Sequence, residues 1–231
     1  MVLDKDSRAI CTRPEVSNIA VYTAIFNGYD NLVPVSIVGD SDYICFSNYE
    51  INAPHPWQLR IVDMPHPDPR FASRYYFDQS TVVLPEYEYT VMHSGSSALK
   101  VLPETLLSYL RSTDIAAFKH PSRTTVYQER DRITQTGKDT KDNTFEQVTR
   151  YLSEGFSGFP LSACTLLVRR NTPAIQKLEK LWWHEVSNGS HRDQLSFDYA
   201  RWKCGVEITY IPGDVFRSPI LRRGKHVRKP N

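Results

Sequence analysis

Apolar positions in this chain cluster in short runs separated by polar stretches that carry proline and glycine. Residues 19–25 (IAVYTAI) form an unbroken run rich in β-branched and aromatic side chains, which predicts a buried strand. That run ends in the polar loop Phe26-Asn27-Gly28-Tyr29-Asp30. Shorter runs predict strands at 42–46, 59–62, 87–92, 115–118, 165–168 and 206–211. Helical spacing lies between them, over 70–79, 102–110, 125–134, 144–153, 172–186 and 190–203. The prolines at 65, 67 and 69 mark a connection ahead of the first helix. Pro103 falls in a first turn, where its missing N–H costs nothing, and Thr172-Pro173 reads as an N-cap followed by proline at N1.

Strands alternating with helices predict an α/β layered domain with a central mixed, mostly parallel sheet flanked by helices. In such sheets ligands gather in the loops beyond the carboxyl ends of the strands. Residues 26–30, 93–97 and 119–123 fall there. A single domain over 1–216 is expected, with 217–231 as a basic C-terminal tail or a linker to a further domain. That last stretch holds six of the 28 basic residues and none of the 26 acidic ones, so the mildly acidic body and the basic tail nearly cancel to a net +2. A nucleic-acid binder would spread its positive charge over a folded face, so no nucleic-acid partner is expected.

With 40% hydrophobic and 23% charged residues, the composition is that of a globular chain. No apolar run reaches the roughly 18 residues needed to span a bilayer. Residues 1–12 lack the apolar stretch of a signal peptide, and a cytoplasmic location is the resulting expectation. Cys11, Cys45, Cys164 and Cys204 are too widely spaced for a zinc site and, without an export signal, are not expected to form disulfides.

Candidate chemistry concentrates in a few segments. Ser190-His191-Arg192-Asp193-Gln194 matches a capping box, with Ser190 at the N-cap and Asp193 at N3. The same position at the positive end of a helix keeps a carboxylate ionised and able to accept a proton from a hydroxyl; spacing alone leaves both roles open. In Ala117-Phe118-Lys119-His120-Pro121-Ser122-Arg123 a strand runs into three basic or titratable side chains. They form either a solvated loop or an anion-recognition segment. His93-Ser94-Gly95-Ser96-Ser97 permits close approach of a ligand to backbone but supplies no carboxylate, a poor donor set for Mg2+ or Mn2+. Trp182-Trp183 at helical positions suits core better than a sugar platform. No dinucleotide fingerprint, Walker loop, zinc-protease motif or nucleophile elbow is present, which argues against a hydrolase.

Taken in order, several segments resemble the DUF616 family of glycosyltransferase-like domains, which includes plant mucilage- and turgor-related proteins and microbial relatives. They are Val21–Asp30, Asp42–Phe46, Ala117–Arg123 with Tyr127 and Glu129, Gly158–Pro160, Val168–Asn171, Trp182–Glu185 and Arg192–Phe197. The resemblance implies a GT-A, Rossmann-like fold and transfer of a sugar from a nucleotide-diphosphate sugar, a UDP-sugar first, to a hydroxyl of a glycan acceptor. A catalytically inactive nucleotide-sugar or glycan-binding relative is the alternative. It further implies that Thr23, Ala24, Phe26, Tyr29 and Asp30 hold base and ribose, that Arg74 approaches the diphosphate, and that Ser94, Gly95 and Ser96 sit beneath the donor. Asp193, with Arg192 and Gln194, would carry catalysis, and Lys119, His120, Arg123 and His191 would line the acceptor or donor-sugar cleft. The family commonly has an Asp-Gly pair where this chain reads Ser94-Gly95. A bound Mn2+ or Mg2+ is therefore doubtful; His93 and Asp78 remain as candidate ligands, and the basic tail (Arg222, Arg223, Lys225, Lys229) as a substitute positive charge.

Overall fold

The computed structural model describes residues 18–224. Residues 1–12, Cys11 among them, and the tail residues Lys225, Arg228 and Lys229 lie outside the described residues. Seven strands form one sheet: β1 (Ile19–Ala24), β2 (Asp42–Ser47), β3 (Trp57–Ile61), β4 (Tyr89–His93), β6 (Ile115–Lys119), β7 (Ser162–Arg170) and β8 (Thr209–Ile211). β5 (Ser97–Leu99) and β9 (Leu221–Arg223) pair apart from it as a two-stranded ribbon.

The order across the large sheet is β3-β2-β1-β4-β7-β6-β8. All of its neighbouring pairs are parallel except the two made by β7, which runs against both β4 and β6. The mixed, mostly parallel sheet predicted from the alternation of elements is thus the sheet found. β1 is buried at every position because helices cover one face and loops with a short helix the other, which accounts for its unbroken apolar run.

On the first face, α1 (Pro69–Asp78) and α6 (Pro173–Ser187) pack Ala72, Phe77, Leu178 and Trp182 onto Ala20, Tyr22, Met92 and Leu167. On the second, Val21, Val91, Leu166 and Val168 meet Leu99, Leu106, Ile211 and Leu221. α2 (Ser80–Val83) follows α1, and α3 (Pro103–Leu106) passes directly into a 3-10 turn at Leu107–Leu110 where one longer helix was expected. A smaller cluster joins α4 (Val126–Gln135) and α5 (Lys141–Ser153) to α7 (Gln194–Cys204), with Tyr151 and Tyr199 stacked at 3.8 Å.

Two expectations change. The stretch expected to open a tail at Arg217 continues the fold: Ser218, Ile220 and Leu221 are buried, and β9 pairs with β5 in the register Ser97↔Arg223. A three-residue strand carries too little pattern to be seen in sequence. α7 also begins later than expected, at Gln194, with Asp193 as its N-cap. The Ser190 hydroxyl accepts from Arg192 N (3.2 Å) and donates to Asp139 Oδ2 (2.6 Å), so the capping box does not form.

Candidate functional site

The carboxyl ends of β1, β2, β4 and β6 and the amino end of the reversed β7 share one edge of the sheet. The opening of α7 joins them there. The Asp198 carboxylate of α7 accepts from Ser162 N (2.6 Å) and Ser162 Oγ (2.8 Å) at the start of β7, and Trp182 Nε1 of α6 donates to the Asp193 carbonyl (2.9 Å). All three bonds are buried, so the turn that carries Asp193 is fixed from two sides.

Asp193 is 4% exposed. One carboxylate oxygen accepts from Gln194 N (2.9 Å); the other stands 3.0 Å from Arg74 Nη1, close enough to pair by charge but without hydrogen-bond alignment. Arg74 and Asp78 are four residues apart on α1, hence on one helix face. The Asp78 carboxyl is fully buried and neither oxygen has a hydrogen-bond partner. Burial, and after it the Asp193 charge, push this carboxyl well above the usual carboxylate range. Cys164 lies in the field of Asp193, Asp198 and Asp78, and burial pushes its thiol up. Arg192 lies in the field of Arg74, Asp193, Glu129 and Tyr29; its Nε is buried without a partner, and burial followed by the Arg74 charge pushes it down. Two guanidinium groups and two carboxyls therefore meet at this edge with hydrogen-bonding capacity unspent.

The other expected residues divide. Tyr29 is 67% exposed on the loop after β1, whereas Phe26, expected to hold the nucleotide, stacks on Tyr76 at 5.3 Å within the core. Thr23 and Ala24 are buried at the end of β1, the Thr23 hydroxyl without a partner. Asp30 is buried beside Gly95: a Cβ built on Gly95 would lie 2.9 Å from Ile25 Cγ1 and 3.6 Å from Asp30 Cβ, so only glycine allows this approach. Ser94 and Ser97 share a hydroxyl–hydroxyl bond of 2.8 Å, and the Ser96 carbonyl accepts from Gly224 N at 2.6 Å.

At the end of β6, Lys119 places its ammonium 5.1 Å from the Tyr210 ring centroid. His120 Nδ1 accepts from Ser122 N (3.2 Å) and Arg123 N (3.0 Å), while Arg123 pairs with the buried Glu129. Burial, with the Arg123 charge, lowers His120 to about 4, so the ring is neutral and serves as a loop staple. His191 is also lowered to about 4, chiefly by burial, and its Nδ1 lies 3.3 Å from Asp139 Oδ2. Asp139 binds both Ser190 and His191, and nothing in its local sequence signals this.

The two candidate metal ligands do not converge. Met92 belongs to the first core and Val91 to the second, so His93 falls on the second face, with its ring 5.7 Å from Trp57. Asp78 faces Arg74 and Asp193 on the first. Among the described residues no three His, Cys, Asp or Glu side chains gather in a way that would hold a metal ion. The Ser94–Ser96 hydroxyls do not fit a resident Mg2+ or Mn2+, which prefers carboxylate oxygens.

The family model of the TOD1/MUCI70 glycosyltransferase-like domain matches residues 57–217, beginning after β2. No curated protein matches the chain. Among solved structures, the apo bifunctional glycosyltransferase WbbM aligns with a TM-score of 0.51 and 13% identity over 85% of this chain and 39% of that one. Apo mouse xyloside xylosyltransferase 1 aligns with a TM-score of 0.42 and 8% identity over 84% of each chain. The chain thus spans 39% of the length of WbbM, and at this identity that likeness speaks for the fold alone. The fold is of the GT-A kind: a mixed, mostly parallel central sheet flanked by helices. Among the described residues no helix is long and apolar enough to cross a membrane.

Proposed function

The chain belongs to the TOD1/MUCI70 glycosyltransferase-like family, and from that premise we propose that it moves a sugar from a nucleotide-diphosphate sugar, a UDP-sugar first, to a hydroxyl of a glycan acceptor. The observation that carries this reading is the buried Asp193 carboxylate at the opening of α7, flanked by Arg74 and Arg192 at the ligand-gathering edge of the sheet. In an inverting transfer Asp193 takes the proton of the acceptor hydroxyl as that oxygen bonds to the anomeric carbon. The bond from that carbon to the diphosphate oxygen breaks, and the nucleoside diphosphate leaves with the electron pair. In a retaining transfer Asp193 or Gln194 would instead stabilise the oxocarbenium-like state. Tyr29 and Asp30 would meet the nucleoside, and Lys119, with His120 and Arg123 shaping its loop, would border the sugar.

A second reading, binding without turnover, is favoured by one observation: Ser94 and Ser96 occupy positions where a carboxylate is usual. Both readings are tested by incubating the chain with a panel of UDP-, GDP- and other nucleotide sugars and oligosaccharide acceptors, and measuring released nucleoside diphosphate alongside direct binding. Acceptor-dependent release is the expected result. Binding with no release for any donor–acceptor pair would favour the second reading, and neither binding nor release would sink both.

A further inference from the structure

A leaving diphosphate must be neutralised, and the Ser94–Ser96 loop offers nothing suited to a divalent cation. Its hydroxyl Ser94 Oγ is engaged with Ser97, and the Ser96 carbonyl is engaged with Gly224. One carboxylate, Asp30, stands beside Gly95. Nor does the basic C-terminal stretch fill the gap with the residues described: Arg222 donates to the Pro34 carbonyl (2.6 Å), and the Arg223 guanidinium lies 4.3 Å from the Phe216 ring centroid.

Two guanidinium groups lie instead at the opening of α7, on either side of Asp193. Arg192 and Arg74 lie in each other's field, with Lys138 close enough to feel Arg192. Like charges held together repel, and an anion between them relieves the repulsion. Arg192 Nε is buried with no partner, and Arg74 reaches Asp193 without hydrogen-bond alignment, so both retain donors to give. A guanidinium presents its N–H groups in a planar fork that matches phosphate oxygens.

Resting on the transferase reading, in which Arg74 is already expected at the diphosphate, we infer that Arg192 shares the diphosphate with it and that the two guanidinium groups neutralise it in place of a divalent cation. Arg74 then turns from Asp193 to the phosphate, and donor binding unmasks the carboxylate that takes the acceptor proton.

The test is calorimetric titration of the purified chain with UDP, GDP, ADP and uridine, in EDTA and again in Mn2+. For the nucleoside diphosphate that binds, affinity is expected to agree within about twofold between EDTA and Mn2+. Arg192→Met is expected to weaken it by at least about tenfold, the loss of a charge-assisted bond, with uridine binding unchanged. Arg192→Lys, which keeps the charge and loses the fork, should fall between the two and serves if the methionine variant does not fold. Binding seen only with Mn2+ would overturn the inference and leave the transferase reading standing, with Asp30 and the phosphates as holders of the ion. Unchanged affinity in both Arg192 variants would also overturn it. Failure of every nucleoside diphosphate to bind in either condition would overturn both.

Discussion

Two buried charge clusters adjoin on the same face of the sheet, and they differ in how completely they are satisfied. In the first, Arg169 of β7 and Glu179 of α6 are each 1% exposed and pair at 2.7 Å. The Glu179 carboxylate also accepts from Ser80 Oγ (2.5 Å), Thr81 N (2.8 Å) and Thr81 Oγ1 (2.7 Å), and Arg169 donates to the Phe77 carbonyl (2.8 Å) and to Tyr22 Oη. Arg169 Nε is its one atom left without a partner. In the second, Asp78 has no partner at either oxygen, and Asp193 Oδ2 and Arg192 Nε have no hydrogen bond. Asp78 links the two: its carbonyl receives Arg169 Nη1 (3.5 Å), while its carboxyl faces Arg74 and Asp193. Buried polar groups are normally satisfied because leaving them unpaired costs free energy. The closed cluster therefore holds the fold, and the open one, with capacity unspent, is where the proposed donor would bind.

The comparison breaks most sharply if Asp193 proves structural. Asp193→Asn keeps the oxygen that accepts from Gln194 N and removes the base, so transfer should fall by ~10²–10⁴-fold. Stability should drop by no more than about 1 kcal/mol. Surviving activity with a lowered melting point would make Asp193 a cap and nothing more. Next in size, Arg169→Met strands the Glu179 carboxylate and should cost about 3–5 kcal/mol in urea unfolding, with activity per folded molecule retained. A variant as stable as the parent would erase the distinction between the clusters.

A control lies on the opposite face. Burial lowers His93 to about 4, so the folded protein holds it neutral while the unfolded chain protonates it near the ordinary value of about 6.5. The unfolded state therefore binds more protons between these values, and stability falls as pH drops from about 6.5 to about 4. In His93→Gln that acid-side loss should shrink by on the order of 3 kcal/mol, measured as unfolding free energy against pH. An identical pH profile would show that His93 does not titrate in this way.

Much of the framework was legible along the chain because it is written locally. The run at 19–25 is β1, Thr172-Pro173 is the N-cap and first turn of α6, and Pro103 opens α3. Trp182 is core, as its helical position suggested. Arg74, Asp193 and Arg192 were each visible as candidates, but not their meeting. That Phe26 stacks inward on Tyr76 was not legible, because an aromatic residue at a strand end reads alike whether it faces a ligand or the core. Asp139 was missed because its partners Ser190 and His191 come from a distant segment.

The sequence by itself determined the order and type of the main elements and the α/β class, since periodicity, turn chemistry and caps act between neighbouring residues; the family came from the resemblance of segments such as Ala117–Arg123 and Arg192–Phe197. Tertiary structure alone decided that α7 starts at Asp193, that β9 completes a ribbon beside Ser96, and that His93 and Asp78 fall on opposite faces of the sheet. It also decided which charges are closed and which remain open. Strand order and helix packing set those meetings, because the free energy of a buried charge depends on the groups that surround it in space.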